Sequence, residues 1–137
     1  MVTVKKILVP LDGSKHSLRA LDLALALSGD KGTQITGIHV IKIPIQFSRQ
    51  IKSQYQKNAE KIVLQAVKVA KKSKIKFNTK IRTNGYVGKE IVKFAEDNKF
   101  DLIVMGSRGP SPIAEMFLGS AANYVLIKSK VPVLIVK

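Results

Sequence analysis

Toward the end of the chain three glycines and a serine follow one another at set intervals: Gly106, two residues, Gly109, nine residues, then Gly119 and Ser120. Met105, Ser107, Arg108 and Ala121 stand among them. Glycine lets a ligand approach the main chain and offers N–H groups in conformations closed to other residues. A phosphate chain needs such a surface. If Ser120 opens a helix, that helix adds its unpaired first-turn amides, the positive end of its dipole and a hydroxyl. Arg108 brings a cation for phosphate charge, unless it points into solvent. A second glycine-bearing run, Pro10-Leu11-Asp12-Gly13-Ser14, lies near the start. One glycine alone is more simply a turn or cap residue, and Asp12 serves equally well as a turn or capping residue before Ser14. The spaced set, after an apolar run and before a helical pattern, favours a ligand site.

Other chemistries find few residues. There is no cysteine, which removes disulfides, thiolate metal sites and thiol nucleophiles together. Two histidines are present. His16 is expected on an exposed first helical turn, and His39 within a strand as a packed or capping residue. No Gly-x-x-x-x-Gly-Lys-Ser/Thr loop occurs, and no acidic pair is placed for metal-assisted attack by water. We therefore expect no catalytic residue, no metal held by the protein itself, and no efficient triphosphate hydrolysis.

The glycine runs need elements to hold them. Five apolar, β-branched runs predict strands at Val4 to Leu11, Gln34 to Ile41, Ile75 to Arg82, Leu102 to Met105 and Pro132 to Val136. Between them, helical periodicity predicts helices over Ser14 to Leu27, Ser48 to Ser73, Val87 to Asn98 and Ser120 to Lys128. Ser14 is a suitable N-cap for the first helix and Gly29 a stop. In the second, Ile51, Tyr55, Ala59, Ile62, Ala66, Val69 and Ala70 repeat at three and four residues and should face inward. The third should bury Ile91, Phe94 and Ala95, and the fourth has Tyr124, Val125 and Ile127 for packing.

Strict alternation of strand and helix requires parallel strands joined by right-handed crossovers. The expected fold is α/β: one doubly wound five-stranded parallel sheet of order 3-2-1-4-5, with two helices on each face, forming one domain over residues 1–137. Such sheets bind ligands beyond the carboxyl ends of the central strands, where the winding reverses. Strands 1 and 4 are the central pair, so the two glycine-bearing runs should meet there.

The composition constrains partners and location. The net charge is +15, from 24 Lys and Arg against 9 Asp and Glu. Between Lys42 and Arg82 stand twelve basic residues and one acid, Glu60. Lys57, Lys61, Lys68 and Lys72 could align as a stripe able to attract anionic surfaces. Base-stacking aromatics and a recognition motif are missing, so a solvated face is the simpler reading and nucleic acid is not expected. The apolar run after Lys5 and Lys6 is too short for a signal core or a membrane span. A cytoplasmic, unexported protein with no membrane insertion is expected.

These motifs together resemble the universal stress protein family, specifically its ATP-binding branch. Gly106, Gly109, Gly119 and Ser120 match the family's nucleotide motif without a gap. Lys6-Ile7-Leu8-Val9-Pro10-Leu11-Asp12-Gly13-Ser14, Ile38-His39-Val40-Ile41 and Lys130-Val131-Pro132-Val133-Leu134-Ile135-Val136 look like further family signatures, so the resemblance spans the chain.

The resemblance implies a stress-response protein that binds ATP, or AMP or cyclic AMP in its place, as a nucleotide-dependent switch or binding module. A slow ATPase or phosphotransferase using the same pocket is the alternative. Asp12 and the backbone around Pro10 and Leu11 should lie beside the adenosine, with Val40 presenting main-chain groups to adenine. Met105, Gly106, Ser107, Arg108 and Gly109 would adjoin the ribose and first phosphates, and Gly119, Ser120 and Ala121 the outer ones. Mg2+ or Mn2+ would be held chiefly through phosphate oxygens. Nucleotide would order the loops 43–49 and 106–119 and so change the surface offered to a protein partner. The family also pairs subunits, which here implies a homodimer through Val131 to Lys137. An apolar edge strand with unmet backbone groups independently suits pairing, although Pro132 and Lys137 would protect the edge of a monomer.

Overall fold

The computed structural model describes residues 3–29, 32–43, 49–109 and 118–137. In chain order they form β1 (Lys6–Pro10), α1 (Lys15–Leu27), β2 (Gln34–Ile41), α2 (Arg49–Ala70), β3 (Lys76–Thr83), α3 (Val87–Asp97), β4 (Leu102–Gly106), α4 (Ser120–Lys128) and β5 (Val133–Val136). The strands make one sheet of order β3-β2-β1-β4-β5, and every pairing is parallel. This is the expected doubly wound topology.

Alternation along the strands divides the core in two. Leu8, Ile38, Ile103 and Met105 point to one face, where Ile91, Phe94, Ala122 and Val125 of α3 and α4 cover them. Ile7, Val9, Ile35 and Val104 point to the other, against Ala20, Leu21, Ala24 and Ala66 of α1 and α2. Because β1 carries helices on both faces, Ile7, Leu8 and Val9 are all fully buried, as expected of a central parallel strand.

Several boundaries move for identifiable reasons. Pairing of β1 starts at Lys6, opposite Gln34, rather than at Val4, which is exposed. The Lys5 and Lys6 amides instead donate to the Asp101 carboxylate at 2.9 Å each. α1 has Ser14 as its N-cap, but it stops at Ser28, whose N–H donates to the Ala24 carbonyl, one residue before Gly29. α2 stops at Ala70 rather than Ser73, and Asn98 is the C-cap of α3. The expected start of α2 at Ser48 lies outside the described residues.

Two expectations about helix faces are corrected. On α2, Ala59, Ala66 and Ala70 are buried, but Ile51 and Tyr55 are exposed. A groove of about 560 Å³ separates Arg49, Lys52, Ser53 and Gln56 from Ile41, Ile43 and Thr83, so the first turns of the helix stand off the sheet. On α4, Val125 and Ala122 pack inward while Ile127 is 67% exposed. Tyr124 packs as expected, against Gly88 of α3, where an added Cβ would come within 2.9 Å of the tyrosine Cβ.

Candidate functional site

Pairing between β1 and β2 ends at Pro10 opposite Ile38, whereas β2 continues against β3 as far as Ile41 opposite Thr83. The Leu11 N–H adds one last bond to the Ile38 carbonyl at 2.7 Å. Beyond it, the β1-side edge of β2 at Val40 has outrun its neighbour and meets no strand. The Val40 side chain is committed to the core under α3. What remains at this position is a stretch of main chain next to Leu11 and Asp12.

The turn after β1 is held by its own side chains. Asp12 Oδ1 accepts from the Ser14 N–H at 2.8 Å, and Ser14 Oγ accepts from the Ser17 N–H at 3.2 Å. The Ser17 hydroxyl in turn donates to the Ser14 carbonyl. Gly13 has φ of +84°, a left-handed conformation that favours glycine. His39 Nδ1 lies 2.6 Å from the Leu11 carbonyl, fixing the end of β1 from the side of β2. The capping role of Asp12 is thus present, and it uses one carboxylate oxygen.

Asp12 Oδ2 faces the second glycine run. A Cβ built on Gly109 would stand 3.4 Å from it. The Gly119 N–H donates to the Ser107 carbonyl at 2.7 Å, closing the two ends of the β4–α4 connection on each other. A Cβ on Gly119 would meet that carbonyl at 3.4 Å and the Gly109 nitrogen at 3.5 Å. Asp12, Ser107, Arg108, Gly109 and Gly119 therefore converge at the carboxyl ends of β1 and β4. The interval 110–117, and with it much of the expected ligand-ordered loop, lies outside the described residues, as does 44–48.

The helix that opens here differs from its neighbours. Gly119 is the N-cap of α4, no side chain caps the helix, and its first turn holds no acidic residue. Its first amides therefore keep donors and dipole charge that nothing on a side chain offsets. By contrast, α1 is closed by Ser14, and α3 carries Glu90 in its first turn. Ser120 is exposed and Ala121 half-buried. The Ser107 hydroxyl is buried and has no hydrogen-bond partner among the described residues, which is uncommon for a buried polar atom.

The glycines act differently from the expected pattern. None of Gly106, Gly109 and Gly119 has a positive φ; among the described glycines only Gly13 and Gly32 do. Gly109 and Gly119 leave room, whereas Gly106 is needed for packing. A Cβ there would lie 2.8 Å from His16 Cβ and 2.9 Å from the His16 carbonyl. This also corrects the expectation for His16: it is half-buried beneath β4, and its Nδ1 is buried with no partner among the described residues. Met105 and Pro10 are buried, which leaves only their main chain to offer at the ends of β4 and β1.

The expected capping role of His39 is met by its bond to the Leu11 carbonyl, and sequence reasoning missed two supports: the hydroxyl of Ser17 and Gly37. A Cβ on Gly37 would come within 2.6 Å of Leu11 Cδ1. A lone glycine inside a strand pattern was the available signal for that close approach. Besides the groove beside α2, another of about 680 Å³ lies between Arg19, Asp22 and Leu23 of α1 and Ile135, Val136 and Lys137. Neither is lined by the three motif glycines. No group of three His, Cys, Asp or Glu able to hold a metal occurs among the described residues, and no described helix is long and apolar enough to cross a membrane.

Residues 3–137 match the universal stress protein family. Universal stress protein YxiE of Bacillus subtilis is 34% identical over 96% of this chain and 98% of its own. The solved structure of MJ0577, a universal stress protein of Methanocaldococcus jannaschii, superposes with a TM-score of 0.88 at 34% identity, covering 99% of this chain and 97% of that one. A universal stress protein solved in complex with cAMP superposes with a TM-score of 0.76 at 30% identity, covering 97% of each chain.

Proposed function

The chain belongs to the universal stress protein family, and from that premise we propose that it binds an adenine nucleotide, foremost ATP, across the carboxyl ends of β1 and β4. The observation that carries this reading is the open N-terminus of α4, with no side-chain cap and no first-turn acid, set behind Gly119 and opposite Asp12 and Gly109. The residues fit the ligand. Gly109 and Gly119 leave the space that a Cβ would narrow, and the buried Ser107 hydroxyl still has a bond to make. The cAMP complex of a 30% identical relative supports an adenine nucleotide as the ligand class.

In this reading the Val40 main chain recognises adenine, and Pro10, Leu11 and Asp12 lie along the adenosine. Met105, Gly106, Ser107, Arg108 and Gly109 line the ribose and inner phosphates, and Gly119, Ser120 and Ala121 take the outer phosphates on α4. The bound nucleotide supplies a polyanion, and its Mg2+ or Mn2+ is held mainly by phosphate oxygens. The protein acts in the cytoplasm as a stress-response module over residues 1–137, whose nucleotide state alters the surface shown to a protein partner. A homodimer forms through Val131 to Lys137. Its support is the four-residue β5, which among the described residues pairs only with β4 and leaves Val133 to Val136 half-buried.

Calorimetry with ATP and magnesium, AMP and cAMP tests the reading. Wild type should bind at least one of the three, and Gly119→Val should not. Failure of wild type with all three overturns it. A second reading, slow ATP hydrolysis or phosphotransfer, is favoured by the exposed Ser120 at the start of α4 and the half-buried Arg108 beside Gly109. Phosphate release, or transfer of labelled phosphate, no greater than with Gly119→Val removes it.

A further inference from the structure

The folded chain gathers its excess charge on one unit. All twelve basic residues between Lys42 and Arg82 are exposed. The one ion pair among the described residues, Lys93 with Asp97, lies elsewhere, on α3. Asp101 and Glu96 are also engaged elsewhere, accepting from the Lys5 and Lys6 amides and from the Lys130 amide. Glu60, the lone acid of the segment, is in contact with Gln56.

On α2 and the turn that follows it, four of these cations fall into register. Lys57, Lys61, Lys68 and Lys72 are separated by four, seven and four residues, and at 100° per residue the three helical lysines fall within an arc of roughly 40°, with Lys72 continuing the line in the turn beyond Ala70. The buried side of the helix, marked by Ala59, Ala66 and Ala70, is opposite. The line is about 22 Å long at 1.5 Å per residue, the length of some six or seven base pairs at 3.4 Å each. Lys57, Lys61 and Lys68 belong to the regular helix and Lys72 to the turn that follows it.

We infer that this lysine line is a docking surface for double-stranded nucleic acid, held through its phosphodiester backbone. Four unpaired ammonium groups in a straight row match a rod of regularly spaced anions. The row contains no aromatic side chain to stack an unpaired base, so it selects a duplex over a single strand. It contains no arginine fork to grip a carboxylate in two places, so it favours phosphate over an acidic protein face. Recognition is of charge and not of base sequence. The surface is independent of the nucleotide site, which lies at the carboxyl ends of β1 and β4.

Fluorescence anisotropy with a labelled 24-base-pair DNA duplex, titrated with full-length protein across a potassium chloride series, tests this. Neutralising four phosphates gives a slope of log affinity against log salt of about −3.6, a loss of about 150-fold between 50 and 200 mM. Replacing all four lysines by glutamine should abolish that salt-dependent binding. The pairs Lys57→Gln with Lys61→Gln and Lys68→Gln with Lys72→Gln should each halve the slope, which keeps the test open if the quadruple variant folds poorly. A control of equal charge, Lys5→Gln, Lys89→Gln, Lys93→Gln and Lys130→Gln, should retain affinity within about threefold at matched salt. No wild-type binding at 25 mM salt overturns the proposal, as does a control that loses as much as the stripe variant. Tighter binding of a single strand, or displacement of the duplex by polyglutamate at equal charge, overturns it in favour of a different partner.

Discussion

At the scale of single residues, the three motif glycines separate into two kinds. Gly106 is a packing glycine, because His16 of α1 sits where its Cβ would be. Gly106→Ala should therefore cost about 1–3 kcal/mol of stability, as overfilled cores do, and thermal melts should show a midpoint lower by several degrees. Gly119 has an ordinary φ of −59° and only van der Waals neighbours. Gly119→Val should leave the melt within about 1 kcal/mol of wild type, the scale of an N-cap change, while weakening ATP by 100-fold or more, or about 3 kcal/mol. Ser107→Ala removes a buried hydroxyl that has no partner. The ligand-free protein should gain up to about 1 kcal/mol and bind nucleotide more weakly; an unchanged affinity would show that the hydroxyl takes no part. The spacing of Gly106, Gly109, Gly119 and Ser120 was legible in the sequence, but their separate tasks were not, since spacing does not reveal which helix leans on which glycine.

At the scale of elements, end signals written in local chemistry were readable, and faces set by distant neighbours were not. Ser14 caps α1 as its position suggested, and the Ser120 to Lys128 helix has the expected bounds. Ser14→Ala should destabilise by about 1 kcal/mol, because Ser14 Oγ takes the Ser17 N–H. Urea unfolding should show a lower midpoint with an unchanged slope. The periodicity of α2 correctly gave Ala59, Ala66 and Ala70 but overreached at Ile51 and Tyr55. Helical spacing says which residues share a side, not how far along its length the helix touches the sheet. Likewise Ile127 shares a hydrophobic run with Val125, yet only Val125 meets the core.

At the scale of the molecule, strand order was the most legible feature, because alternation with helices leaves few ways to cover both faces of a parallel sheet. The two edges of that sheet are unlike. β5 is short and wholly apolar, whereas β3 alternates half-buried Phe77, Thr79 and Ile81 with exposed Lys76, Asn78, Lys80 and Arg82. Exposed lysines on an edge discourage strand addition, so of the two edges β5 is the one the proposed dimer would use. Ile135→Asp should shift the protein toward monomer, with dimer affinity down tenfold or more, or about 1.4 kcal/mol, as read by sedimentation equilibrium. A wild type that sediments as a monomer at high concentration would remove the dimer.

The opposition of these edges has a geometric result for any assembly. If two copies join along β5, each contributes its α2 and β3 at an outer end, so the pair becomes a bivalent connector instead of one enlarged patch. Such a particle would bridge separate duplexes and turn dilute DNA solutions cloudy near equal stoichiometry, clearing again when either component is in excess.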